Sequence, residues 1–359
     1  MTPDPLEMLE RLLARGFGMG IAEALATGTP PGGVADAAGR RKCPAKLGVE
    51  MQRTRIAVIG AGLMGHGIAQ AFATADHLVD IYEPDPDRRA CVRDQVRANL
   101  RLLGSDEAAG DLITLHDDLA DAVGQAAVVI EAVPESLDLK QKLFIEVEAA
   151  APASALLASN TSAIPITSIM SVLQDRRRGM GAHWWNPPHL IPLVEVVQGR
   201  DTGEAEIAAM MALLSSIGKT PVHVRKDVPG FIGNRLQHAM WREAIALVQG
   251  GICDAETVDT VVKASFGRRL SVLGPLENAD LVGTDLALMV HQTILPDLDR
   301  TSGPLPLLEE LVRAGHLGMK TGKGFREWNG ESAQEVRNAL ARHLAQTLCP
   351  EQGRMHEGS

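Results

Sequence analysis

Two residues, His183 and Glu195, set a chemical reading in motion. An imidazole titrates near neutrality, so it can take a proton from a hydroxyl group and return it. A carboxylate behind it fixes the tautomer and stabilises the imidazolium that forms. Ser162 and Asn234 carry groups able to hold an oxygen whose charge changes as a reaction proceeds. Taken singly, each has a plainer reading. A lone histidine in an apolar stretch is more often a hydrogen-bonded structural residue. Glu195 could be a surface charge on an edge strand. Ser162 precedes Ile164-Pro165 and could cap a helix.

A second chemistry lies earlier, in Ile56-Ala57-Val58-Ile59-Gly60-Ala61-Gly62-Leu63-Met64-Gly65. A GxGxxG alone says little. Here it follows an apolar strand signal, opens a helical pattern, and is followed about 20 residues on by an acid, Glu83. Gly60 permits the tight turn, Gly62 the approach of a pyrophosphate, and Gly65 close packing of helix on strand. The helix start at Leu63 and Met64 offers backbone N–H groups and partial positive charge to phosphates. Glu83 suits the hydroxyls of an adenosine ribose and would repel a 2′-phosphate, so NAD is expected rather than NADP, with Arg88 and Arg89 close by.

The elements that must position these groups follow from apolar periodicity. Strands are predicted at Ile56–Ile59, Leu78–Tyr82 and Val128–Ala132, with shorter ones near Leu156, Gly181, Leu193 and Val222. Helices are predicted over 63–75, 87–103 and 137–150. This alternation predicts an α/β fold with a Rossmann-like, doubly wound parallel sheet. After Val228-Pro229-Gly230 strand signals vanish, and 231–250, 254–265 and 276–291 read as helices of an all-α domain. The expected divisions are a flexible extension at 1–53 containing a helical pattern from Leu6 to Leu25, a cofactor domain at 54–225, and a helical substrate and dimerisation domain at 226–350. His183 and Glu195 fall on neighbouring predicted strands, whereas Asn234 comes from the helical part, so the site is expected in the cleft between them.

Composition narrows the function classes. The net charge of −10 argues against nucleic acid, which needs clustered Lys and Arg. No apolar run reaches the roughly 18 residues of a membrane span, and the acidic start lacks a signal-peptide pattern. Cys43, Cys91, Cys253 and Cys349 are scattered, indicating neither a metal site nor a disulfide framework, and a reducing, cytoplasmic setting is expected.

Further segments add specificity: Glu131-Ala132-Val133-Pro134-Glu135-Ser136-Leu137-Asp138-Leu139-Lys140, Ser159-Asn160-Thr161-Ser162, Gly181-Ala182-His183-Trp184-Trp185-Asn186-Pro187-Pro188, Val228 to Arg235, and Gly318 to Phe325. In this order and spacing, the chain from about residue 54 to about 328 resembles the L-3-hydroxyacyl-CoA dehydrogenase family. The resemblance implies NAD-dependent oxidation of a 3-hydroxy group, with His183 as base, Glu195 as its partner, and Ser162 and Asn234 on the substrate oxygen. It places Glu135, Lys140, Ser162 and Asn186 near the nicotinamide half of the cofactor, and Lys320 near the cofactor as well. It also implies a homodimer, and a role in fatty acid metabolism for the acyl-CoA members. The segment between Glu83 and Glu131 is short, where long-chain acyl-CoA members carry a longer arm. Other motifs look like relatives acting on free hydroxy acids of the L-gulonate or L-carnitine type. The expected substrate is therefore a short-chain (S)-3-hydroxyacyl-CoA, with a free 3-hydroxy acid as the alternative. A non-enzymatic NAD-binding structural protein is the competing class.

Overall fold

The computed structural model describes residues 53–348. The helical pattern from Leu6 to Leu25, and all but the last residue of the expected extension, lie outside them.

The first part alternates strands and helices: β1 (Arg55–Ile59), α1 (Leu63–Thr74), β2 (Leu78–Tyr82), α2 (Pro86–Leu102), β3 (Ile113–His116), α3 (Leu119–Val123), β4 (Val128–Glu131), α4 (Leu137–Ala150), β5 (Leu156–Ser159), α5 (Ile166–Ile169), β6 (Gly179–Trp184), β7 (Leu193–Val197), α6 (Glu204–Ser216) and β8 (Thr220–Val224). The strands form one sheet in the order β3-β2-β1-β4-β5-β6-β7-β8. Successive side chains of β1 point to opposite faces, as the strand period requires. Ile56 and Val58 join one core with Ile68, Phe72, Val79 and Ile81. Ala57 and Ile59 join the other with Val129, Phe144 and Leu157. Helices therefore cover both faces, which is why the central strands are continuous apolar runs.

Three features depart from the sequence expectation. Strand β3 was not foreseen: only its first residue, Ile113, is fully buried, and the polar Thr114 and His116 mask the apolar signal. The sheet is not wholly parallel, because β7 runs antiparallel to β6. That reversal sets His183 directly opposite Glu195 in the strand register, so both side chains leave the same face. The third departure is in the helical part, α7 (Gly233–Gln249), α8 (Ala255–Ala264), α9 (Pro275–Val282), α10 (Thr284–Ile294), α11 (Pro306–Arg313) and α12 (Gly330–Leu348). The single helix expected over 276–291 is broken at Gly283, whose φ of +102° lies outside the helical region.

Candidate active site

The dinucleotide turn is built as its glycines demand. Gly60 has φ +94°, and its N–H donates to the Tyr82 carbonyl at 2.9 Å. A β-carbon on Gly65 would stand 1.8 Å from the Gly60 carbonyl oxygen, so helix α1 can pack here only without one. A β-carbon on Gly62 would meet no heavy atom within 4 Å: this glycine faces open space. No side chain caps α1, and its first turn carries no acid, which leaves its N-terminus suited to an anion. Leu63 is exposed beside it. Glu83 is buried, with Oε2 accepting the Ala61 N–H at 3.0 Å and Oε1 the Asp85 N–H at 3.1 Å. Its charge therefore sits against the turn. The nearby cations are already committed. Arg89 bonds the Glu83 carbonyl at 2.7 Å and Asp117 at 3.1 Å, and Arg88 faces Asp85 at 3.6 Å. These residues fit NAD: a phosphate cradle and, at the ribose, a buried acid that would repel a 2′-phosphate.

The chemical groups form a chain of contacts. His183 Nδ1 lies 2.8 Å from Glu195 Oε2, and His183 Nε2 lies 3.1 Å from Ser162 Oγ. A carboxylate only accepts, so the neutral imidazole carries its proton on Nδ1. Nε2 then presents its lone pair toward Ser162, the arrangement a proton acceptor requires. Asn234 Nδ2 donates to the Ser162 carbonyl at 3.3 Å, which brings the start of α7 to the same place. The four residues named for chemistry thus converge. Ser162 is not a helix cap: α5 begins at Ile166, and the Asp227 carboxylate accepts the Ile166 and Thr167 N–H groups at 3.0 and 2.7 Å. The hydroxyl is therefore left to His183.

Glu195 is buried, and taking a carboxylate out of water costs several kcal/mol unless donors surround it. Here Oε1 accepts the Ile232 and Gly233 N–H groups at 2.9 and 3.0 Å, while Oε2 takes His183 and the Trp185 indole N–H at 3.3 Å. Burial alone would raise its pKa. The hydrogen bonds from His183, Gly233 and Ile232 outweigh that and hold the carboxyl below the ordinary value. The two backbone donors come from the turn into α7, where Gly230 and Phe231 both have positive φ, +75° and +49°. Trp185 and Phe231 rings stand 5.5 and 5.4 Å from the imidazole, so it is flanked by aromatic walls.

Beneath Ser162 lies a second network. Lys140, fully buried on α4, bonds Glu131 Oε1 at 2.7 Å and faces Glu135 Oε2 at 3.3 Å. Glu131 also accepts from Ser159 at 2.5 Å. Glu135 accepts from the Thr161 hydroxyl and from the Ser162 and Ala163 N–H groups at 3.2 and 3.1 Å. Burial opposes the charge on Glu135, but Thr161, Lys140 and Ala163 prevail and its pKa is lowered. Glu135 and Lys140 therefore fix the serine-bearing loop. Asn186 is exposed in the loop that follows Trp185, and Lys320 is exposed in a late turn. Among the described hydrogen bonds and ion pairs, none joins either residue to the other candidates. The sequence reading gave no role to Glu131, Thr161 or the Ile232 and Gly233 amides, and it read Trp185 as a pocket wall or core residue rather than as chemistry. Glu131 and Thr161 stood in quoted motifs, but backbone donors leave no mark in a sequence.

Comparison with known proteins agrees with this architecture. The pattern described as 3-hydroxyacyl-CoA dehydrogenase, NAD binding domain, matches residues 55–228, and that of the C-terminal domain matches 230–328. The chain is 35% identical over 294 residues to a 5-formyl-3-hydroxy-2-methylpyridine 4-carboxylate 5-dehydrogenase of Mesorhizobium japonicum, covering 80% of this chain and 95% of that one. It is also 35% identical over 293 residues to a probable 3-hydroxybutyryl-CoA dehydrogenase of Bacillus subtilis, covering 79% and 100%. A solved structure of a 5-formyl-3-hydroxy-2-methylpyridine 4-carboxylic acid 5-dehydrogenase, described as an NAD+ dependent dismutase, superposes with a TM-score of 0.77 at 33% identity, covering 83% and 99%.

Proposed function

The chain belongs to the 3-hydroxyacyl-CoA dehydrogenase family of NAD-dependent oxidoreductases, and from that premise we propose that it oxidises the 3-hydroxyl of a short-chain (S)-3-hydroxyacyl-CoA to the 3-oxo thioester. The observation that carries this reading is the unbroken contact chain Ser162–His183–Glu195. In it, the substrate hydroxyl sits at Nε2 beside Ser162. His183 takes the hydroxyl proton, and Glu195 stabilises the imidazolium. Ser162 and Asn234 hold the oxygen as it becomes a carbonyl. Bound NAD supplies the acceptor for the hydride leaving C3. Glu135 and Lys140 serve by fixing the loop of Ser162, and Asn186 and Lys320 belong to the reading as outer cofactor contacts. A binding protein without activity would need none of His183, Glu195, Ser162 and Asn234 gathered at one place.

A second reading, a free 3-hydroxy acid, is favoured by helix α2. Its arginines are engaged: Arg93 on the Ile113 carbonyl, Arg97 on Asp111 and Arg101 near Glu107, besides Arg88 and Arg89. They offer little uncommitted charge to the phosphates of a CoA. NADH oxidation with acetoacetyl-CoA, measured beside NAD reduction with L-gulonate and L-carnitine, separates the two. Turnover confined to acetoacetyl-CoA supports the thioester, turnover confined to an acid supports the second reading, and none with any of them overturns both.

The reading includes a homodimer formed through the helical part. Helices α7 to α11 contain no fully buried residue. They expose Leu236, Met240, Trp241, Leu288 and Ile294, an apolar surface more extensive than single scattered residues would give. Light scattering that finds only monomer would remove this element. The reading keeps the cytoplasmic setting expected, with which the free thiols of Cys91 and Cys253 agree; no helix among the described residues is long and apolar enough to cross a membrane.

A further inference from the structure

Glu195 has more donors than the orientation of one histidine requires. Two of them belong to the turn that starts α7, the helix carrying Asn234, and one belongs to Trp185. Trp185 also touches that turn directly. A β-carbon on Gly233 would lie 2.3 Å from Cζ2 of the Trp185 indole. Gly233 is the first residue of α7, a position where alanine would serve the helix better than glycine. Its replacement is blocked by the indole and by no other contact within 3 Å. Trp184, the neighbouring tryptophan, is by contrast a buried core residue against Phe72.

We propose that Trp185 is a positioning residue that clamps the first turn of α7, and with it Asn234, onto the Glu195 carboxylate. Its N–H shares Oε2 with His183 while its six-membered ring holds the Gly233 backbone against Oε1. One carboxylate thereby sets both the imidazole on the sheet and the amide on the helical part. This rests on the catalytic reading of His183 given above, and it adds a positioning role to a residue described so far only as an aromatic wall.

The test is a double-mutant cycle, read as kcat, KM for NADH and thermal midpoint. W185F keeps an aromatic wall but removes the N–H and the outer ring. It should lower kcat about tenfold, the usual worth of one hydrogen bond to a charged group, with KM for NADH unchanged because the dinucleotide turn is untouched. G233A should lower kcat more, by at least about thirtyfold, since the added methyl displaces the turn from Oε1. In the double variant the same G233A change should cost less than about threefold relative to W185F, because the clashing ring edge has gone. Wild-type kcat in W185F overturns the clamp, as does an equal G233A loss in both backgrounds. Should G233A not fold, W185F alone still decides. His183→Gln serves as the control: an active control removes the catalytic reading, whereas an inactive control beside a fully active W185F removes only the clamp.

Discussion

Replacing Glu195 with glutamine changes one oxygen to an amide nitrogen, and the structure dictates which. If the NH2 faced Ile232 and Gly233, two buried backbone donors now at 2.9 and 3.0 Å would confront a third donor. Each lost bond to a charged acceptor costs about 1.5–3 kcal/mol, so that orientation costs about 3–6 kcal/mol. If the NH2 faces His183, those two bonds survive with a neutral acceptor, and the cost falls on the imidazole and on Trp185. The second orientation wins. The amide then donates to Nδ1, the imidazole proton moves to Nε2, and the proton acceptor is lost. The related change in a serine protease triad lowers kcat by about 10⁴, so a loss of about 10³–10⁴, or about 4–5.5 kcal/mol, is expected here. The assay is single-turnover NAD reduction with (S)-3-hydroxybutyryl-CoA by Glu195→Gln, the direction in which Nε2 must accept a proton, with NADH affinity measured by fluorescence. Turnover within tenfold of wild type, with the fold intact, would refute the tautomer argument.

Other outcomes follow from the same contacts. Glu83→Ala removes the acceptor of the Ala61 and Asp85 N–H groups along with the charge at the ribose, and NADH affinity should fall about 10- to 100-fold by titration, a loss of about 1.4–2.7 kcal/mol. Unchanged affinity would detach Glu83 from the cofactor. Lys140→Met leaves Glu131 buried without its cation and should destabilise the fold by about 3–5 kcal/mol in urea unfolding, with partial recovery in a Lys140→Met, Glu131→Gln double variant. His189 is pushed down to about 4 by burial and by the charges of His66 and Lys219. Between pH 6.5 and 4 the unfolded chain therefore takes up a proton that the folded protein resists, so stability falls as the pH falls. From pH 7.5 to 5 the wild type should lose about 2 kcal/mol more than His189→Leu, and equal losses would contradict the assignment.

Much of this molecule is legible in its sequence where a local pattern decides the outcome. The apolar run of β1 is buried on both faces, and the glycines that follow it stand where a β-carbon would strike backbone or block the approach to α1. Less legible is what depends on distant pairing. Strand β3 hides because it is short and half polar, and the reversal of β7 against β6 is decided by packing rather than by residue type. His183 and Glu195 were nameable from their chemistry and their family pattern. That Glu195 also holds the helical part was not, since its partners there are amides common to every residue. Likewise, that no hydrogen bond or ion pair among those described joins Asn186 or Lys320 to the other candidates depends on the paths of loops, which spacing does not fix, and it leaves their proposed place at the cofactor standing.

The central claim is that the imidazole of His183 accepts the substrate proton during hydride transfer. Single-turnover NAD reduction with (S)-3-hydroxybutyryl-CoA by His183→Gln, with the cofactor bound in advance, tests it most directly. The account predicts NADH binding equal to wild type and a transfer rate lower by at least about 10²-fold. A transfer rate matching the wild type would contradict it.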